Sequence, residues 1–179
     1  MEKQIINPRE KKFKFCPTCS TELIRKKIDR RNLLACPNCS FIFWNNPKPV
    51  TSVILEREGK ILLLKRGKEP LKGLWVLPGG YIDYEEKPEQ AILRETKEET
   101  NLDIKITKLI NVYQIDNDPN GINLDIIYAG KIVSGAIKTN EESAEYNFFA
   151  LDELPELIAY KHREAILDWK SSNNFSGIN

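Results

Sequence analysis

Histidine is almost absent from this chain: one residue, His162, among 179. A histidine-rich metal site is excluded, and a histidine base would have to be His162, which falls in a segment expected to form the last helix and to face solvent there. Long apolar runs are absent as well. Ile61–Leu64 is typical of what the chain offers, far short of the about 20 residues a membrane helix needs. No signal peptide is recognisable, so a cytoplasmic protein without membrane attachment is expected. Beyond two cysteine pairs there is no internal repeat, and no segment is of low complexity. The net charge of +1 gives no global pull toward nucleic acid or membrane, while an apolar share of 41% suffices for a core. The charge is unevenly spread: residues 1–35 hold ten Lys/Arg and four Asp/Glu, a balance of +6 that leaves the remainder near −5.

All four cysteines stand in two pairs, Cys16-Pro17-Thr18-Cys19 and Cys36-Pro37-Asn38-Cys39, sixteen residues apart. This spacing suits tetrahedral thiolate ligation of zinc, each pair bending a knuckle around the ion. Disulfides are the alternative, and a chain without a secretion signal argues against them. With His162 far away, the ligands are expected to be Cys16, Cys19, Cys36 and Cys39 alone. Residues 1–14 are polar and basic, with a poorly ordered start expected. Leu23–Leu34 reads as a hairpin in a piece too small to fold without its metal. Asn45-Asn46-Pro47-Lys48-Pro49 reads as a stiff linker.

Val50–Glu56 and Lys60–Lys65 read as strands around a Glu58-Gly59 turn. A short strand over Gly73–Leu77 runs into Pro78-Gly79-Gly80. The spacing then predicts a helix from Pro88 to Thr100. Further strands are expected at Ile104–Ile115, Ile122–Val133 and Tyr146–Leu151, with a last helix opened by Pro155. The order implies a mixed α/β layer fold. The domains are read as 1–46, 47–171 and a flexible tail, 172–179.

Three carboxylates, Glu95, Glu98 and Glu99, occupy spacing i, i+3, i+4 on the predicted helix, just after the Leu77-Pro78-Gly79-Gly80 turn. They share one face, and like charges so placed destabilise a bare helix. A hard divalent cation is the simplest partner; a solvated acidic face is the bland alternative.

The pattern Gly80-x5-Glu86-x7-Arg94-Glu95-Thr96-x-Glu98-Glu99-x-Asn101-Leu102, over 23 positions, resembles the Nudix box. Flanking stretches (Asn46–Pro49, Gly73–Trp75, Glu142-Ser143-x-Glu145, Phe148–Pro155) extend the resemblance over about residues 47–170. It implies an α/β/α sandwich with a mixed sheet, preceded by the four-cysteine zinc ribbon, and metal-dependent hydrolysis of a pyrophosphate in a nucleoside diphosphate linked to another group. By resemblance, Glu95, Glu98, Glu99 and the Gly79 carbonyl bind Mg²⁺ or Mn²⁺. Arg94 and Glu86 form a supporting pair, and the base is a box glutamate or Glu142 or Glu145. Asn101 replaces the usual helix-ending glycine, Thr96 a usual bulky aliphatic residue, and Lys87 is a poor cap.

The pairing with a zinc ribbon is similar to a group acting on ADP-ribose and FAD. The NADH pyrophosphatase marker S-Q-P-W-P-F-P-x-S is missing from Val112–Pro119. Trp75, Tyr81, Tyr84 and Tyr113 are candidates to stack a purine, and Lys65 and Arg66 to steer phosphates. Two alternatives stand beside this reading. One is a sanitising enzyme that cleaves nucleoside triphosphates. The other is an RNA-binding ribbon with an inactive Nudix domain, suggested by Arg25, Lys26, Lys27, Arg30 and Arg31 beside Phe41, Phe43 and Trp44. A nucleotide-type substrate and a homodimer are expected.

Overall fold

The computed structural model describes residues 13–174, and the expected disordered start of the chain lies outside them. Two compact units meet in the sequence at Pro47/Lys48. In the first, β1 (Ile24–Ile28) and β2 (Arg31–Ala35) form the expected hairpin, in register Lys27↔Asn32, and β3 (Ile42–Phe43) adds antiparallel to β2. Asp29 and Arg30 make the turn with φ of 46° and 66°, the left-handed pair that a two-residue hairpin loop requires. Among the described residues its small core is Cys16, Leu23 and Cys36, flanked by Leu34 and Phe41, with Leu33 and Ala35 of β2 also buried.

The second unit is built on one mixed sheet. Strands β4 (Lys48–Arg57), β5 (Lys60–Arg66), β8 (Asp103–Ile115), β9 (Asn123–Ser134) and β10 (Ser143–Ala150) lie in the order β10-β5-β4-β9-β8. The short β6 (Trp75–Val76) pairs with β5, and β7 (Gly79–Tyr81) with β4. Only β4 and β9 run parallel, from Lys48↔Asn123 to Leu55↔Gly130. Alternation along the central strands feeds two cores. Val53, Leu55, Leu62 and Leu64 pack with Ile92 and Leu102 on the side of α1 (Pro88–Thr100). Ile54, Ile61 and Leu63 pack with Ala165 and Ile166 of α2 (His162–Asn174) on the other. Such strict period-two sorting makes the α/β/α sandwich.

Helix α1 begins with Pro88 at its first position and buries Ala91, Ile92, Thr96 and Thr100 along one stripe. The Lys87 amide, poorly served by its own side chain, donates to Gln90 Oε1 at 3.0 Å. Thr96 is fully buried, and its Oγ1 has no hydrogen-bond partner among the described residues. Asn101 closes the helix at φ 60°, and its Nδ2 donates to the Ala136 carbonyl at 3.1 Å.

The last helix departs from expectation. It starts at His162 and not at Pro155, because the segment before it runs alongside β6: Trp75 donates to Leu157 O, Ala159 donates to Trp75 O, and Ile158 bridges Trp75. This places His162 in the interior, 3% exposed, and corrects its reading as a surface residue. The helix continues to Asn174, so the expected tail from 172 starts in helical structure, and residues 175–179 lie outside the described chain.

Candidate active site and zinc centre

The four cysteines are unbridged, and among the described residues they form the one group of three or more potential ligands whose donor atoms lie within 4.8 Å of one another. The Sγ atoms of Cys19 and Cys36 are 3.4 Å apart, and those of Cys16 and Cys39 3.6 Å. A disulfide needs about 2 Å; four thiolates around one zinc at about 2.3 Å stand about 3.8 Å apart. The Thr18 and Asn38 amides donate to Cys16 and Cys36 Sγ, each at 3.4 Å. The Thr21 hydroxyl and amide push Cys19 down to about 6, favouring its thiolate. The soft donor set, its spacing and its amide support fit zinc.

The box is assembled from α1 and the turn between β6 and β7. Gly79 has φ of 151°, and a Cβ there would run into the Thr51 carbonyl, so no other residue fits. A Cβ on Gly80 would lie 2.5 Å from the Glu95 carboxylate. The turn therefore lies directly against the carboxylate face of α1. Gly79 also donates its amide to Glu99 Oε2 at 2.9 Å.

Arg94 grips Glu86 with two bonds, Nε to Oε1 and Nη2 to Oε2, both 2.8 Å, and reaches the Tyr81 carbonyl at 3.1 Å. Its Nη1 meets Glu95 at 2.8 Å and Glu98 at 3.4 Å. The bidentate arginine holds Glu86 well below the usual carboxylate range. The three box carboxylates share a face without converging: Glu95 and Glu98 turn to Arg94, and Glu99 turns to Gly79. Burial raises Glu95 above its ordinary value. Burial first, then the charges of Glu95 and Glu142, push Glu99 up to about 8, with the Gly79 amide and Arg66 working the other way. An all-oxygen site in which four carboxylates, Glu95, Glu98, Glu99 and Glu142, outnumber the nearby Arg94 and Arg66 fits a hard divalent cation.

Glu142 and Glu145, equivalent in the sequence, separate here. Both meet a lysine, Glu142 with Lys68 at 3.6 Å and Glu145 with Lys65 at 3.1 Å, but only the charge of Glu142 reaches both Glu95 and Glu99. Asn140, missed in the sequence, sets the Glu142 loop. Its Oδ1 accepts the amides of Glu142 and Ser143 (2.8 and 3.1 Å), and its Nδ2 donates to the Glu98 carbonyl at 3.1 Å. An Asn in the polar stretch between two strands, able to accept the amide two residues on in an Asx-turn, is the signal that could have revealed it.

Of the aromatic candidates, Tyr113 is buried with its hydroxyl 2.6 Å from Asp168, and Trp75 sits edge-on to Phe149 at 4.8 Å. Both are packing residues. Tyr84 and Tyr81 remain exposed, Tyr81 beneath Lys48. Arg66 has its Nε bound to the Pro70 carbonyl at 2.9 Å. In the first unit Arg31 lies over Trp44, and β1 is exposed from Ile24 to Lys27.

A NUDIX domain model matches residues 46–169. An ADP-ribose pyrophosphatase of Methanocaldococcus jannaschii is 38% identical over 151 residues, 84% of this chain and 86% of that protein. The NAD-capped RNA hydrolase NudC of Pseudomonas aeruginosa is 27% identical over 149 residues, which is 83% of this chain and 51% of its own length. Among solved structures, a NUDIX hydrolase from Nitrosomonas europaea aligns with TM-score 0.78 at 30% identity, covering 92% of this chain and 94% of that one. With the box, its turn and the sandwich in place, the chain belongs to the NUDIX family and is a Nudix pyrophosphohydrolase.

Proposed function

We propose that the protein hydrolyses the pyrophosphate of ADP-ribose or FAD-type substrates with Mg²⁺ or Mn²⁺ at Glu95, Glu98, Glu99 and the Gly79 carbonyl. The carrying observation is the buried Glu99 carboxylate against the Gly79–Gly80 turn, raised to about 8 by burial and by the charges of Glu95 and Glu142. The relative named as an ADP-ribose pyrophosphatase, matched along most of both chains, supports the substrate class. The bound cation would supply neutralisation of the pyrophosphate charge and a more acidic attacking water. The chain's own residues do the rest. Arg66 steers a phosphate toward the site, and exposed Tyr81 and Tyr84 offer faces to the nucleoside base. Glu142 takes the proton from water as its oxygen bonds to phosphorus and the bridging oxygen leaves with the other phosphate. Arg94 and Glu86 hold the turn against the helix.

Residues 47–171 form the catalytic domain in this reading and residues 1–46 a zinc-stabilised module. The exposed Leu109 and Val112 of the edge strand β8 support a homodimer. The NudC relative and the cationic β1–β2 hairpin favour a second reading, with RNA as a partner. Pyrophosphate cleavage of ADP-ribose, FAD, NADH, nucleoside triphosphates and 5′-capped RNA, with the monophosphate products (free nucleotide or 5′-monophosphate RNA) separated and quantified in Mg²⁺ and in Mn²⁺, tests both. Preference for ADP-ribose or FAD is expected; preference for triphosphates or capped RNA overturns it.

A further inference from the structure

Behind the Leu77–Gly80 turn lies a buried polar cluster that the proposed chemistry does not use. His162, at the start of α2, accepts the Leu77 amide at its Nδ1 at 2.9 Å. The ring hydrogen is therefore on Nε2, which faces Asp125 Oδ2 at 3.1 Å. Ser52 donates its hydroxyl to the same Oδ2 at 3.0 Å. All three residues are at most 5% exposed, and Asp125 Oδ1 has no hydrogen-bond partner among the described residues. Burying such a group is costly in an otherwise apolar sandwich and calls for a gain elsewhere.

Two members of the cluster touch the turn, and Asp125 holds both of them. Leu77, two residues before Gly79, is held by the imidazole. Ser52 pairs with Gly79 across β4 and β7, and a Cβ on Gly79 would lie 2.7 Å from the Ser52 Cα. Val53 donates to the Pro78 carbonyl at 2.9 Å. The turn is thus fixed from behind by the imidazole and β4, and in front by Glu99 through the Gly79 amide.

We infer that His162, oriented by Asp125 and Ser52, is a positioning residue for the metal-binding turn: it sets where the Gly79 carbonyl stands relative to Glu99. This rests on the box being the metal site. Second-shell partners of metal ligands change affinity by about 10- to 100-fold when removed, and the same range is expected here.

The test is Mn²⁺ binding to substrate-free protein, read as loss of the free-ion EPR signal, together with kcat, KM and thermal unfolding. His162→Ala should weaken Mn²⁺ about tenfold or more and lower kcat with little change in KM. His162→Asn keeps an acceptor for the Leu77 amide and should recover most of the affinity; His162→Gln, whose amide reaches toward Asp125 instead, should recover less. Asparagine rescue is the signature that general destabilisation does not produce, and it serves as the test if the alanine variant does not fold. Equal Mn²⁺ affinity in wild type and all folded variants, with Glu99→Gln still weakened, overturns this inference alone. Unchanged affinity in Glu99→Gln as well overturns the metal site, and the inference with it.

Discussion

Replacing Glu99 by glutamine should make the metal-free protein more stable while abolishing its activity. Glu99 is raised from an ordinary 4.5 to about 8. A carboxyl raised on folding contributes stability that is complete below about pH 4.5 and is lost as pH climbs through the folded value. At pH 5 the loss is within about 1 kcal/mol, and at pH 7 it reaches about 3 kcal/mol as an upper bound. Glutamine cannot ionise, and its Oε1 still accepts the Gly79 amide, so it escapes this loss. At about 2–4 °C per kcal/mol for a chain of this size, the variant should melt several degrees above wild type at pH 7 in EDTA. The two should draw together toward pH 5. Mg²⁺ at about 1,000 times its Kd should reverse the order, since it adds about 4.1 kcal/mol to the form that binds it. Turnover of the variant should fall by orders of magnitude. Thermal unfolding at pH 5, 6, 7 and 8, with and without Mg²⁺, reads all of this. A metal-free variant that melts at or below wild type at every pH refutes the assignment of Glu99 as an unpaired metal carboxylate.

Two further outcomes separate neighbouring residues and modules. Glu142→Gln should lower kcat by about 10²- to 10⁴-fold, the span of a general base, whereas Glu145→Gln, which loses only the pair with Lys65, should stay within about twofold of wild type. Equal losses in a steady-state assay would return the two to equivalence. Cys16→Ser should release zinc on elemental analysis and raise proteolysis within residues 13–47, where Leu23 and few other side chains are buried. Zinc retained at one per chain would contradict the four-thiolate centre.

Much of the sandwich was legible in the sequence because its signals are local. Pro88 marks the first helical position, Glu58-Gly59 carries the two positive φ values of its turn, and Ile61–Leu64 reads as a strand buried on both sides. The fixed spacing from Gly80 to Leu102 likewise exposed the box, and Asn101 its left-handed end. What stayed hidden depends on contacts distant in sequence. Leu157, Ile158 and Ile166 looked like one helix, but Ile158 is a bridge partner of Trp75, and that displacement sends His162 inward. Glu142 and Glu145 could not be told apart because an irregularity in the β10–β5 pairing falls between Ser143 and Glu145. Nothing local reports that Ser52, Asp125 and His162, separated by 73 and 37 residues along the chain, share one cluster.

The end of α1 carries a mechanical consequence. Where the box pattern has glycine, Asn101 adopts the left-handed conformation and spends its side chain on Ala136. Gly135, directly after β9, stands so close to the Asn101 carbonyl that a Cβ there would collide with it, whichever residue occupies 101. Restoring glycine at 101 would relieve a few tenths of a kcal/mol of backbone strain but forfeit a hydrogen bond of about 1 kcal/mol. The asparagine thus tethers the end of the carboxylate helix to the segment that follows β9, a fastening that glycine has no side chain to supply.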